Sequence, residues 1–103
     1  MEKGITKKHL SVFEQIRRID ENGTEYWSSR DMAKVLEYSE YRHFLPVIEK
    51  ARESCNNSGQ NVSDHFEDIL EMIEIGKGGK RQIESIKLPR YAFLLSVYGS
   101  DKY

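Results

Sequence analysis

Ile73-Glu74-Ile75-Gly76-Lys77-Gly78-Gly79-Lys80-Arg81-Gln82-Ile83-Glu84-Ser85-Ile86 is the stretch on which the reading of the fold turns. Ile73-Glu74-Ile75 and Ile83-Glu84-Ser85-Ile86 read as two strands, and Gly76-Lys77-Gly78-Gly79 as the turn joining them, which predicts a β-hairpin. A competing reading enters from upstream, because Phe66, Ile69, Leu70 and Ile73 also fit one face of a helix. Just before them, Ser63-Asp64-His65-Phe66 reads as a capped, short helical turn.

Further upstream the period is helical. Tyr41, Phe44, Leu45, Ile48, Ala51 and Cys55 form one stripe, predicting a helix from about Glu40 to Asn56. The stripe continues past Pro46, so a kink is expected rather than a break, although an interior proline costs about 3 kcal/mol. Asn56-Asn57-Ser58-Gly59 ends that helix. A shorter helix, about Ser29 to Leu36, starts at a Ser28 cap with Asp31 in its first turn. Glu37-Tyr38-Ser39 makes the turn between the two, so residues 30–52 resemble a helix–turn–helix. Leu10, Phe13, Ile16 and Ile19 predict an amphipathic helix from about Lys7 to Ile19, closed by Asp20-Glu21-Asn22-Gly23. Glu25-Tyr26-Trp27 reads as a short extended piece.

Downstream of the hairpin, Leu88-Pro89 opens a last helix with Pro89 at a favoured first position. Tyr91, Phe93, Leu94, Leu95 and Val97 make it almost continuously apolar. The expected fold is α+β and mainly helical, with four to five helices, a helix-turn-helix-like pair and one β-hairpin. No repeat or linker divides the sequence, so residues 1–103 are read as a single domain.

A chain of 103 residues has room for one modest core. Hydrophobic residues at 38% and charged residues at 32% disfavour disorder along the whole chain. No apolar run approaches the roughly 20 residues a bilayer crossing needs, and Met1-Glu2-Lys3-Gly4 leads into no signal-peptide core. Cys55 is the only cysteine, which suits a reducing compartment and a cytoplasmic protein. The net charge of −1 demands no polyanionic partner. The charge is nonetheless segregated. Lys3, Lys7, Lys8, Arg17 and Arg18 are followed by acidic Asp64, Glu67, Asp68, Glu71 and Glu74. Basic Lys77, Lys80, Arg81, Lys87 and Arg90 come after them.

Six strings together resemble one family. They are Phe13-Glu14-Gln15-Ile16, Glu25-Tyr26-Trp27-Ser28-Ser29-Arg30-Asp31, Tyr38-Ser39-Glu40-Tyr41-Arg42-His43-Phe44, His65-Phe66, Gly76-Lys77-Gly78-Gly79-Lys80-Arg81 and Leu88-Pro89-Arg90-Tyr91-Ala92. Their order and spacing resemble the N-terminal part of the DNA-damage-inducible protein D family, which is similar to the BRO N-terminal domains of phage and viral antirepressors. The resemblance covers about Phe13 to Leu95. It departs at Pro89, Phe93 and Leu94, where that family tends to carry Ser, Cys and Tyr. Family members also continue beyond the point where this sequence stops, which reads as an excised domain or a shortened relative. The resemblance implies a non-enzymatic role in the bacterial DNA-damage response or in phage-derived regulation. It implies DNA, single- or double-stranded, or a DNA-bound repair or recombination protein as partner, and supplies no catalytic residues. A homodimer is left open.

Two groups of residues are candidates for nucleic-acid contact. In the helix–turn–helix reading, Tyr38, Arg42 and His43 would meet a groove or a phosphate. The plainer reading is a helical hairpin with a solvated face, since Glu37, Glu40 and Glu49 stand nearby. Lys77, Lys80 and Arg81 at the glycine-rich turn could follow a phosphate backbone, or could simply keep a hairpin soluble. The turn is not a phosphate-binding P-loop, which needs Gly-Lys-Ser/Thr opening a helix. Trp27 could stack on a base but reads better as a core anchor. His9, His43, His65 and Cys55 are too scattered for a metal site, and no cofactor is expected. Glu67, Asp68 and Glu71 could gather a divalent ion for a nuclease, but no paired general base accompanies them. A protein-interaction module acting on recombination or repair machinery is the alternative to DNA binding.

Overall fold

The computed structural model describes residues 7–99, with side chains from residue 11 onward. The readings placed on Met1 to Gly4, on the side chains of Lys7, Lys8, His9 and Leu10, and on the last four residues lie outside it.

The elements in order are α1 (Lys7–Ile16), β1 (Arg18–Ile19), β2 (Glu25–Ser28), α2 (Ser29–Val35), a 3-10 turn (Tyr41–His43), α3 (Leu45–Asn57), α4 (Val62–His65), β3 (Glu67–Ile75), β4 (Gly79–Leu88) and α5 (Arg90–Tyr98). The strands form one antiparallel sheet in the order β1-β2-β4-β3. This overturns the expectation of a mainly helical fold with a single hairpin. Two of the four strands are too short to carry a period. Arg18 and Ile19 pair with Tyr26 and Glu25, while Trp27 and Ser28 pair with Leu88 and Lys87. The helix expected to reach Ile19 therefore ends at Ile16. The turn between β1 and β2 is set by the Asp20 carboxylate, which accepts the N–H groups of Asn22 and Thr24 at 2.9 Å each.

The helix–turn–helix pair is corrected as well. Its second helix begins at Leu45, not Glu40, so Pro46 is not an interior residue of it. Pro46 stands in its first turn, where the missing N–H would have had no partner. The residues before it close a 3-10 turn, with the His43 and Phe44 N–H groups donating to Glu40 and Tyr41 carbonyls at 3.0 and 2.8 Å. Arg42 and His43 thus ride on a turn and not on the opening of a recognition helix.

The hairpin is longer than its sequence signal. β3 starts at Glu67 and pairs with β4 through nine rungs, from Glu67–Lys87 to Ile75–Gly79, so the helical reading of Phe66 to Ile73 fails. Gly76 and Gly78 have φ of 58° and 75°, the left-handed backbone that a side chain disfavours. From Met72 to Gln82 every residue except Gly79 is exposed. The outer four rungs form an arm reaching roughly 13 Å beyond the body.

The core lies between the helices and the inner half of the sheet. Trp27 stacks on Phe93 at 3.9 Å and its indole N–H donates to the Phe13 carbonyl at 2.8 Å. Phe13 meets Phe93 edge-on at 5.1 Å. Phe44, Ile48 and Cys55 of the predicted stripe are fully buried, as are Leu88 and Val97. Trp27 is a core anchor.

Candidate nucleic-acid interface

The string Ser28-Ser29-Arg30-Asp31 joins a strand to a helix, and each of its side chains ties α2 to something distant. The Ser28 hydroxyl accepts the Asp31 N–H at 3.3 Å, capping α2, and donates to the Glu71 carboxylate of β3. The Ser29 hydroxyl accepts the Ile86 N–H at 2.9 Å and lies 2.6 Å from the Tyr41 hydroxyl. Ser85 stands 3.2 Å from Ser28 and 3.3 Å from Ser29. All three serines are buried, so their polar atoms must be satisfied internally, and they satisfy one another. Arg18 closes the network, pairing with Asp31 at 2.8 Å and Glu71 at 2.9 Å. Burial pushes the Glu71 carboxyl up, but hydrogen bonds from Ser28 and Ser85 and the Arg18 charge outweigh it. Together they hold the group below its ordinary value of 4.5. Arg30 lies 3.8 Å over the Tyr41 ring and donates to the Glu84 carbonyl at 2.7 Å.

Beside this network a groove of about 370 Å³ runs between α2, the loop after it and the hairpin. Arg18, Arg30, Lys34 and Tyr38 line it, with Glu71 and Ile83 as part of its far wall. Tyr38 is half-buried, its ring 5.2 Å from that of Phe44. Tyr38 and His43 also face a second cleft with Lys50 and Pro46. Arg42 is 72% exposed and, among the described residues, pairs only with Glu40, at 3.0 Å. Lys77, Lys80 and Arg81 stand on the arm, and line neither groove. The structure therefore separates the two groups of candidates. It also divides the arm's own cations, since consecutive strand residues alternate: Arg81 shares a face with Ile83 and Glu71, Lys80 the opposite one.

Sequence reasoning missed Arg30 and Lys34. Their i, i+4 spacing on α2 was a usable signal, passed over because the string around Arg30 was read only as a helix start.

Most of the described arginines are held in ion pairs. Arg17, Arg18, Arg52, Lys87 and Arg90 all pair with carboxylates. Lys77, Lys80 and Arg81 pair with none of the described residues, nor do Lys34 and Lys50. The acidic stretch is less free than it looked, because Asp68 meets Arg52 at 3.6 Å and Glu71 is held by Arg18. Glu67 and Asp68 address opposite faces of β3, which removes the divalent-ion cluster the sequence allowed. Among the described residues no three His, Cys, Asp or Glu side chains gather as metal ligands would. None of the described helices is long and apolar enough to cross a membrane.

Comparison with known proteins agrees with these motifs. Over 94 residues the chain is 50% identical to DNA damage-inducible protein D of Escherichia coli (strain K12), a match covering 91% of this chain and 34% of that protein. The chain thus spans about a third of that relative's length. No solved structure matches it. The family described as BRO family, N-terminal domain, matches residues 15–102, and the chain belongs to that family.

Proposed function

We propose that this chain is a non-enzymatic, cytoplasmic regulatory domain of the DNA-damage response or of phage-derived regulation, and that it binds DNA through phosphate contacts. Lys77, Lys80 and Arg81 on the arm are the principal contacts, with Tyr38, Arg42 and His43 at the 3-10 turn as a second point. The observation that carries this reading is that Lys77, Lys80 and Arg81 form no ion pair with the described residues, three cations against Glu74 as the arm's one carboxylate, in a body whose other arginines are mostly ion-paired. A cation without a carboxylate partner can exchange water for phosphate and release the counterions that DNA condenses. Arg30 and Lys34 would extend the same positive field along the groove. The sequence likeness to a DNA damage-inducible protein supports the setting.

Fluorescence anisotropy with labelled single- and double-stranded DNA at two salt concentrations tests this. Lys80→Ala, Arg81→Ala and Arg42→Ala are each expected to weaken binding across sequences and to lower the salt slope by about one. A folded parent that leaves DNA mobility unchanged at low salt would sink the proposal.

A second reading is a module that acts on a DNA-bound recombination or repair protein. It draws support from β3, whose Leu70 and Met72 are 62% and 58% exposed. Failure to capture any such protein from damaged cells argues against it.

A further inference from the structure

β3 is an outer strand of the sheet, and it is nine residues long. Such an edge offers unpaired N–H and C=O groups to another strand, and proteins usually shorten, charge or cover it. Here it carries four exposed apolar residues, Leu70, Met72, Ile73 and Ile75. Two of its four acids, Asp68 and Glu71, are already held by arginines of the same chain.

We propose that the edge is covered by a second copy of this chain, β3 pairing antiparallel with the partner's β3 about a two-fold axis at Met72. The register follows from the strand itself. An axis at Glu71 would set Glu71 against the partner's Glu71 and Asp68 against the partner's Glu74, which is repulsive at three rungs. An axis at Leu70 would set three apolar residues, Ile69, Met72 and Ile73, against the partner's Glu71, Asp68 and Glu67, and would give no pair of opposite charges. An axis at Met72 opposes no like charges, and it leaves only Leu70 against the partner's Glu74 and Ile73 against the partner's Glu71 as apolar–acid pairs. It sets Met72 against the partner's Met72 and Ile69 against the partner's Ile75, and it brings Glu67 opposite the partner's Lys77. The apolar and charged pairs other than the central one occur twice by symmetry. Leu70 and Met72 of both copies would then share one face of a continuous eight-stranded sheet, and Ile69, Ile73 and Ile75 the other. Lys80 and Arg81 lie on β4 and remain on the faces of that sheet, whereas Lys77 would be drawn into the interface, so the dimer and the proposed DNA contact share that one residue and the Lys80 and Arg81 variants test the DNA reading separately.

Sedimentation equilibrium of the chain over a concentration series is expected to show a monomer–dimer transition. Lys77→Glu should raise the dissociation constant roughly tenfold through two repulsive pairs, and Glu67→Lys combined with Lys77→Glu should restore it. Directly opposed residues of an antiparallel pair lie within disulfide reach. Met72→Cys should therefore cross-link on oxidation, whereas Gln82→Cys, one strand further in, should not. Cys55 is buried and does not compete. Circular dichroism confirms that each variant is folded. Any of three results overturns the proposal: a parent that stays monomeric, which would leave the edge to another protein; a dimer indifferent to Lys77→Glu; or Met72→Cys cross-linking no better than Gln82→Cys.

Discussion

Glu71 is the residue where strand, helix and neighbouring loop meet. Its carboxylate is 11% exposed and accepts from Ser28 while facing Arg18. A carboxyl held below its ordinary value contributes stability that is complete above 4.5 and lost as the pH falls through the folded value. Glu71→Gln is expected to cost about 1–3 kcal/mol near neutral pH, because the Ser28 and Arg18 donors lose a charged acceptor. It should also flatten the acid limb of the stability curve. Urea unfolding at pH 7 and pH 4 measures both effects, and a variant whose loss is the same at the two values would contradict the assignment. Little of this network was legible in the sequence. Ser28 was readable as a cap because its partner Asp31 is three residues away. Its other partners, Glu71 and Ser85, are 43 and 57 residues distant, and no local pattern announces them.

Pro46 shows how an element can be read correctly in content and wrongly in extent. The stripe from Tyr41 to Cys55 faces the core except at Leu45, which is exposed, and proline takes the first turn of α3 and leaves Tyr41 to His43 as a separate turn. The hairpin was legible because glycine punctuation is local. Its inner rungs were not, since Ile69, Leu70 and Ile73 suit helix and strand alike until β4 supplies the partner strand. The arm's geometry depends on its glycines. Gly78 has φ of 75° with open space around it, so Gly78→Ala is strained by backbone alone and should cost about 1–2 kcal/mol. At Gly79 an added Cβ would come within 2.6 Å of the Ile75 carbonyl oxygen. Amide hydrogen exchange should register faster opening in Gly78→Ala from Met72 to Gln82 and unchanged protection in α3. Uniform loss across both would mean that the arm is not a separate unit.

The molecule as a whole divides into a body that holds itself together and an arm that the core does not need. Phe93 packs between Trp27 and Phe13, so Phe93→Ala is expected to cost about 3–5 kcal/mol. Gln82→Ala on the arm should stay within about 0.5 kcal/mol of the parent. Thermal and urea denaturation separate the two, and equal losses would argue against the division. Composition had indicated one modest core but could not reveal that the sheet extends past it. That extension constrains how the chain can change. Shortening or lengthening each arm strand by two residues leaves Arg81 addressing the groove side. A change of one turns the ribbon inside out, exchanging the roles of Lys80 and Arg81. Length variation in this hairpin among descendants of the same ancestor should therefore come in even steps per strand, a parity rule imposed by the pleat and independent of whatever the arm touches.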